Sequence, residues 1–127
     1  MSAEIHHASC QCGAARAEMT GAPKFVGNCH CDACRRATGG AVSTWVGFDD
    51  NQVKWLTNAP SFYASSKGVQ RGFCAKCGTP LTYAGEKWAG ETHFLIGVME
   101  KPENYTPQGE VFADEALAWA QHIEKKT

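Results

Sequence analysis

The chain has 127 residues, 43% of them hydrophobic and 20% charged, with a net charge of -1 at pH 7. That length suits one domain, residues 1–127, with a modest core that metal crosslinks would help to hold. The near-neutral balance excludes the basic field that nucleic acid or an anionic membrane requires, and no apolar run reaches membrane-spanning length.

The first residues, Met1-Ser2-Ala3-Glu4-Ile5-His6-His7, lack the basic and apolar regions of a signal peptide, so the expected location is a reducing cytoplasm. Cys10-Gln11-Cys12-Gly13 follows, and Ala14 to Thr20 alternates weakly as a strand before Gly21-Ala22-Pro23. Cys29-His30-Cys31-Asp32-Ala33-Cys34 comes next, with a helical turn or two expected from Cys31 through Arg36. The middle of the chain reads as short strands rich in aromatic and β-branched residues. They are Thr44–Phe48, Val53–Leu56, Ser61–Ala64, Pro80–Tyr83 and His93–Val98, with turn residues between. A second helix is expected over Asp114–Ile123, with Asp114 as N-cap and Leu117, Ala120 and Ile123 at helical spacing. The fold class is therefore mainly β: an antiparallel β domain with short helices, stapled by metal.

Seven cysteines are an odd number, which a pure disulfide framework cannot use up. In a reducing compartment, clustered cysteines bind metal or carry redox chemistry. Four thiolates at about 2.3 Å from zinc lie about 3.8 Å apart. Residues i and i+2 of a flat strand are about 7 Å apart, so a Cys-x-Cys pair needs a tight turn or bulge. Glycine after the second cysteine helps, because it takes positive φ freely. Cys12-Gly13 and Cys77-Gly78 both have it. Cys10, Cys12, Cys74 and Cys77 are thus expected to join as two knuckles around one structural zinc.

Cys29, Cys31 and Cys34 are left over, with Arg35-Arg36 where the knuckles have glycine. Three thiolates leave a fourth position open for water or substrate, the mark of a catalytic rather than a structural zinc. Arg35 and Arg36 could offset the charge of three thiolates or grip a substrate carboxylate. Alternatively, His30 or another histidine could close the set as Cys₃His, although His30 stands between two ligands and its ring would tend to point away. Arg71 either bonds near the cysteines or is solvated. His6 and His7 read as surface residues before they read as ligands. His93 reads as structural or pocket-lining. Trp45, Trp55, Trp88 and Trp119 could fill the core or wall a cleft.

Three stretches together resemble the glutathione-dependent formaldehyde-activating enzymes, Gfa-like proteins that share a domain with centromere protein V. They are Ser9-Cys10-Gln11-Cys12-Gly13-Ala14, Cys29 through Gly39, and Arg71-Gly72-Phe73-Cys74-Ala75-Lys76-Cys77-Gly78-Thr79-Pro80-Leu81. A weaker tail match runs over Gly97 to Pro102, Pro107 and Trp119. The resemblance implies an Mss4-like fold and two zinc ions per chain, one structural on Cys10, Cys12, Cys74 and Cys77 and one catalytic on Cys29, Cys31 and Cys34. It also implies carbon–sulfur chemistry that joins glutathione to formaldehyde. Two departures from the family pattern stand out. Met99-Glu100-Lys101 stands where Leu-Asp-Asp is frequent, and Glu110 where a histidine is frequent.

The expected function is a zinc-dependent carbon–sulfur lyase on thiol–aldehyde adducts, a candidate S-(hydroxymethyl)glutathione synthase. Its catalytic residues would be Cys29, Cys31 and Cys34, with Arg35 and Arg36 at the substrate. The partners would be a small thiol such as glutathione, and formaldehyde, with neither nucleic acid nor membrane; the oligomeric state is left open. The alternatives are a non-catalytic zinc-binding interaction module and a thiol-based redox or formaldehyde sensor.

Overall fold

The structure, a computed structural model, describes residues 4–120. Its strands in chain order are β1 (Ile5–Ser9), β2 (Arg16–Thr20), β3 (Phe25–Cys29), β4 (Ser43–Asp49) and β5 (Val53–Trp55). They continue with β6 (Ser61–Ser66), β7 (Val69–Phe73), β8 (Pro80–Gly85), β9 (Glu91–Leu95) and β10 (Glu110–Val111). One α-helix, α1 (Asp32–Thr38), follows β3, and the other helical pieces are single 3-10 turns.

Two sheets result. β1, β2 and β5 form a three-stranded antiparallel sheet. The larger sheet has the order β10-β3-β4-β9-β8-β7-β6, antiparallel throughout except where β10 runs parallel to β3. The main core lies between the sheets. Ala8, Ala17 and Met19 of the small sheet meet Val46, Phe48 and Phe94 of the large one. Side chains alternate across a strand, so Trp45 and Gly47 on β4 and His93 on β9 point to the opposite face. That second face carries a cluster of Cys29, Cys34 and Trp45, with Phe25, Tyr83 and Val111 against it. Both faces of β4 are therefore covered, which is why its sequence reads as a continuous apolar run rather than an alternating one.

The expected strands all form, within a few residues of the sequence-based limits, and so does the helix after Cys31. The run His93–Val98 divides: β9 ends at Leu95, and Ile96–Val98 becomes a 3-10 turn closed by the Met99 N–H to the Ile96 carbonyl, 3.1 Å. β1, β3 and β7 lack the strand signature because they carry His6, His7, Gly27, Asn28, Arg71 and Gly72. Partner strands decide their conformation instead. The helix expected over Asp114–Ile123 is replaced within the described residues by a 3-10 turn at Ala113–Glu115, and residues 121–123 lie outside them. Contacts to α1 hold this segment. The Glu115 carboxylate accepts from the Asp32 N–H at 2.9 Å, and its carbonyl accepts from Arg35 at 2.9 Å.

Candidate functional site

Both knuckles form, with the same backbone device. In the first, the Gly13 N–H bonds the Cys10 carbonyl at 3.2 Å and the Cys10 N–H bonds the Ala15 carbonyl at 3.0 Å. In the second, the Gly78 N–H bonds the Cys74 carbonyl at 2.8 Å and the Cys74 N–H bonds the Thr79 carbonyl at 2.9 Å. Gly13 and Gly78 adopt φ of +84° and +82°, a region open to glycine at no steric cost. The sulfurs of Cys10 and Cys12 lie 3.7 Å apart, and those of Cys12 and Cys74 3.8 Å, across 62 residues of chain. All four sulfurs lie within 4.8 Å of one another, a spacing that fits a tetrahedral thiolate set, so the cluster could hold a metal ion. Against the effect of burial, the Ala15 N–H, 3.3 Å from the Cys10 sulfur, helps hold Cys10 below the usual thiol range, and the Cys77 N–H points at the Cys74 sulfur at 3.5 Å. The Thr79 hydroxyl, 3.0 Å away, holds the exposed Cys77 thiol down to about 5, aided by the Thr79 backbone.

The second cluster stands where β3 runs into α1. Cys29 is the last residue of β3, Cys31 caps the helix by accepting the Cys34 N–H at 3.3 Å, and Cys34 lies in its first turn. Gly39 ends the helix in the left-handed conformation, its N–H on the Arg35 carbonyl at 2.7 Å. The sulfurs of Cys29 and Cys34 are 3.6 Å apart, and the three sulfurs lie within 4.8 Å of one another. This cluster too could hold a metal ion, and among the described residues no fourth Cys, His, Asp or Glu side chain joins it. Without metal the trio shares its protons unevenly. The Cys29 thiol donates to Cys34, which drives Cys34 down to about 5, with Cys31 and Arg71 helping against burial. The same bond and burial push Cys29 up.

His30 does not close the set. Its ring is fully buried and turned to β10, where Nε2 meets a Glu110 oxygen at 2.5 Å. Asn28 donates to the other Glu110 oxygen at 3.1 Å, and Thr44 donates to Asn28 at 2.6 Å. Glu110 thus completes a hydrogen-bonded chain beside the trio.

Arg71 on β7 brings the guanidinium nearest the sulfurs. It is 5% exposed, with Nη2 3.6 Å from the Cys34 sulfur, Nε donating to Ser65 at 3.1 Å, and its plane over the Tyr83 ring at 5.2 Å. Arg35 instead donates to the His30 and Glu115 carbonyls at 2.6 and 2.9 Å, tying α1 to the last segment. Arg36 bonds Asp32 at 3.1 Å with its side chain 81% exposed. Neither Arg35 nor Arg36 lines the cleft beside the trio. His6 and His7 stand apart from both clusters, beside Glu4 and Tyr105 and beside Glu18 and Glu100.

The trio opens onto a cleft of about 290 Å³ that Cys29, Cys31 and Cys34 line together with Arg71, Trp45, Tyr83 and His93. His93 is buried, and burial holds its imidazole below the usual range although Glu91 bonds it at 2.9 Å. Of the four tryptophans, Trp45 and Trp88 wall the cleft, Trp55 packs on Phe94 in the main core, and Trp119 is 71% exposed.

Residues 5–115 match the glutathione-dependent formaldehyde-activating enzyme family, a span that contains every cysteine of both clusters. The chain belongs to this family. Its fold is similar to that of a Rhodobacter sphaeroides protein, a structural-genomics crystal structure, with a TM-score of 0.65 and 18% identity. The match covers 83% of this chain and 99% of the other, and the mainly β, Mss4-like architecture is common to both. No curated protein matches the sequence. Membership in the family associates the chain with formaldehyde activation, and no helix among the described residues is long and apolar enough to cross a membrane. Sequence reasoning singled out neither Phe25, Tyr83 and Phe112 as cleft walls nor Glu110 as the partner of His30. Only the departure at position 110 offered a signal.

Proposed function

We propose that the protein is a zinc-dependent carbon–sulfur lyase acting on thiol–aldehyde adducts. The family's pair, glutathione and formaldehyde, is the first to test. The supporting observation is the trio of sulfurs opening onto a cleft, with a buried guanidinium at one of them and no fourth side-chain donor among the described residues. Cys10, Cys12, Cys74 and Cys77 would hold a structural zinc, and Cys29, Cys31 and Cys34 the catalytic one, since soft thiolate sets of these sizes suit that ion. Bound there, zinc supplies a Lewis acid and stabilises thiolates at neutral pH.

In the synthetic direction a carbon–sulfur bond forms between the thiol sulfur and the carbonyl carbon, and the proton of the thiol ends on the former carbonyl oxygen. Cleavage reverses both changes. Arg71 offsets the negative charge of the trio from a buried position, where a charge acts more strongly than in water. The ring walls orient the adduct along the cleft. Water serves as proton donor for so mild an addition. Charge balance, assigned from sequence to Arg35 and Arg36, passes to Arg71, because Arg35 is bonded to carbonyls and Arg36 faces solvent. A reducing cytoplasm keeps the seven thiols in the form that metal requires.

Exchange NMR on a glutathione–formaldehyde mixture tests the proposal. Zinc-loaded protein should raise the exchange rate at least about tenfold over background, and Cys31→Ser should return it to background while the fold persists. Exchange at the background rate with zinc fully loaded would remove glutathione and formaldehyde as the substrate pair.

A further inference from the structure

The cleft beyond the trio is an aromatic box. Phe25 stacks on Trp88 with centroids 5.7 Å apart, and meets His93 edge-on at 4.7 Å. Trp45 and Tyr83 lie 5.9 Å apart at the end nearer the sulfurs, where Trp45 packs on Cys29 and Cys34. Phe112, an exposed residue, also lines the cleft, with a left-handed backbone of φ +56°. A non-glycine residue adopts that region at a steric cost, and such strain gathers at ligand clamps. Lys87 lies over the Phe112 ring at 4.3 Å and near that of Trp88 at 5.9 Å.

The charges are few and mostly committed. Arg71 serves Cys34 and Ser65, and Glu115 accepts from the Asp32 N–H. Lys87 remains as the cation beside Phe112 and Trp88. Glutathione carries two carboxylates and an ammonium group, and each would leave water for walls that offer mostly ring faces. A ring is the complementary shape and chemistry, because offset and edge-to-face contacts add to the burial of apolar area.

We infer that the thiol partner of this enzyme carries an aromatic ring: an arylalkyl thiol, neutral or with a single carboxylate that meets Lys87. This assignment rests on the lyase reading proposed above. The sulfur addresses Cys29, Cys31 and Cys34, while the ring lies among Phe25, Trp88 and Phe112. Bond changes are those already given: the carbon–sulfur bond forms and the thiol proton moves to the carbonyl oxygen.

Benzyl mercaptan and glutathione serve as the two probes, each with and without formaldehyde, on zinc-loaded protein. Tryptophan fluorescence reads binding through Trp45 and Trp88, and exchange NMR reads turnover. Benzyl mercaptan should bind at least about tenfold more tightly than glutathione, and Phe112→Ala should weaken it about threefold to tenfold. Phe112 is a suitable position because it is exposed and stands outside the main core. Equal or tighter binding of glutathione would overturn the inference, as would benzyl mercaptan binding that ignores Phe112→Ala. Tight benzyl mercaptan binding with background exchange for both thiols would instead overturn the lyase reading and leave the ring site standing.

Discussion

Arg71 stands where a guanidinium does what an ammonium cannot. Its planar fork reaches Ser65 and Cys34 at once while its face lies on Tyr83, so three neighbours hold one orientation. A buried cation beside thiolates lowers the free energy of the deprotonated form, and Cys34 is held down partly for that reason. We expect Arg71→Gln to weaken metal binding at the trio about 10- to 100-fold, read by competition with a chromogenic chelator, while the four-cysteine cluster keeps its metal. Arg71→Lys should recover part of the loss, because it keeps the charge and loses the fork. Unchanged affinity in Arg71→Gln would reduce the residue to a packing role. The sequence placed Arg71 three residues before Cys74 but left two readings open, solvated or near the cysteines, since the face on which β7 presents it depends on pairing with β6 and β8.

Strands position the cleft walls through register. Phe25 on β3 stands directly opposite Gly47 on β4, and its ring lies across the glycine so closely that an added Cβ would meet ring carbon at 2.3 Å. An aromatic ring covering a cross-strand glycine stabilises a sheet at a point where glycine alone would weaken it. Gly47→Ala should therefore displace Phe25 and destabilise the protein by about 1–3 kcal/mol in denaturant unfolding. A loss below about 0.5 kcal/mol would show that the ring relocates freely. Local chemistry made the two knuckles readable, because a Cys-x-Cys or Cys-x-x-Cys followed by glycine needs only a handful of residues to form. The short helix after Cys31 was readable for the same reason. The helix expected after Asp114 was not realised in the described residues, since bonds from α1 to Glu115 outweigh a weak helical pattern.

At the scale of the whole molecule, the four-cysteine cluster ties the β1–β2 connection to the β7–β8 connection, and thereby the small sheet to the large one. Metal held there crosslinks residues 62 apart, which restricts the unfolded chain as well as bracing the folded one. Removing metal with a strong chelator should lower the melting temperature by at least about 10 °C in circular dichroism. Cys77→Ser should unfold the protein, whereas Cys31→Ser should leave it folded with one metal fewer. A melting temperature indifferent to chelator would show that the knuckles stand without metal.

The sequence by itself determined the mainly β class, the family and the division of seven cysteines into four and three. Ligand spacing and turn chemistry act over a few residues, so they survive without knowledge of the fold. Only the tertiary structure decided that Arg71 faces the trio, that Glu110 receives His30, and that rings from β3, β4, β8 and the segment after β10 enclose one cleft. Those relations span tens of residues, and strand order and register, rather than any local preference, bring them together.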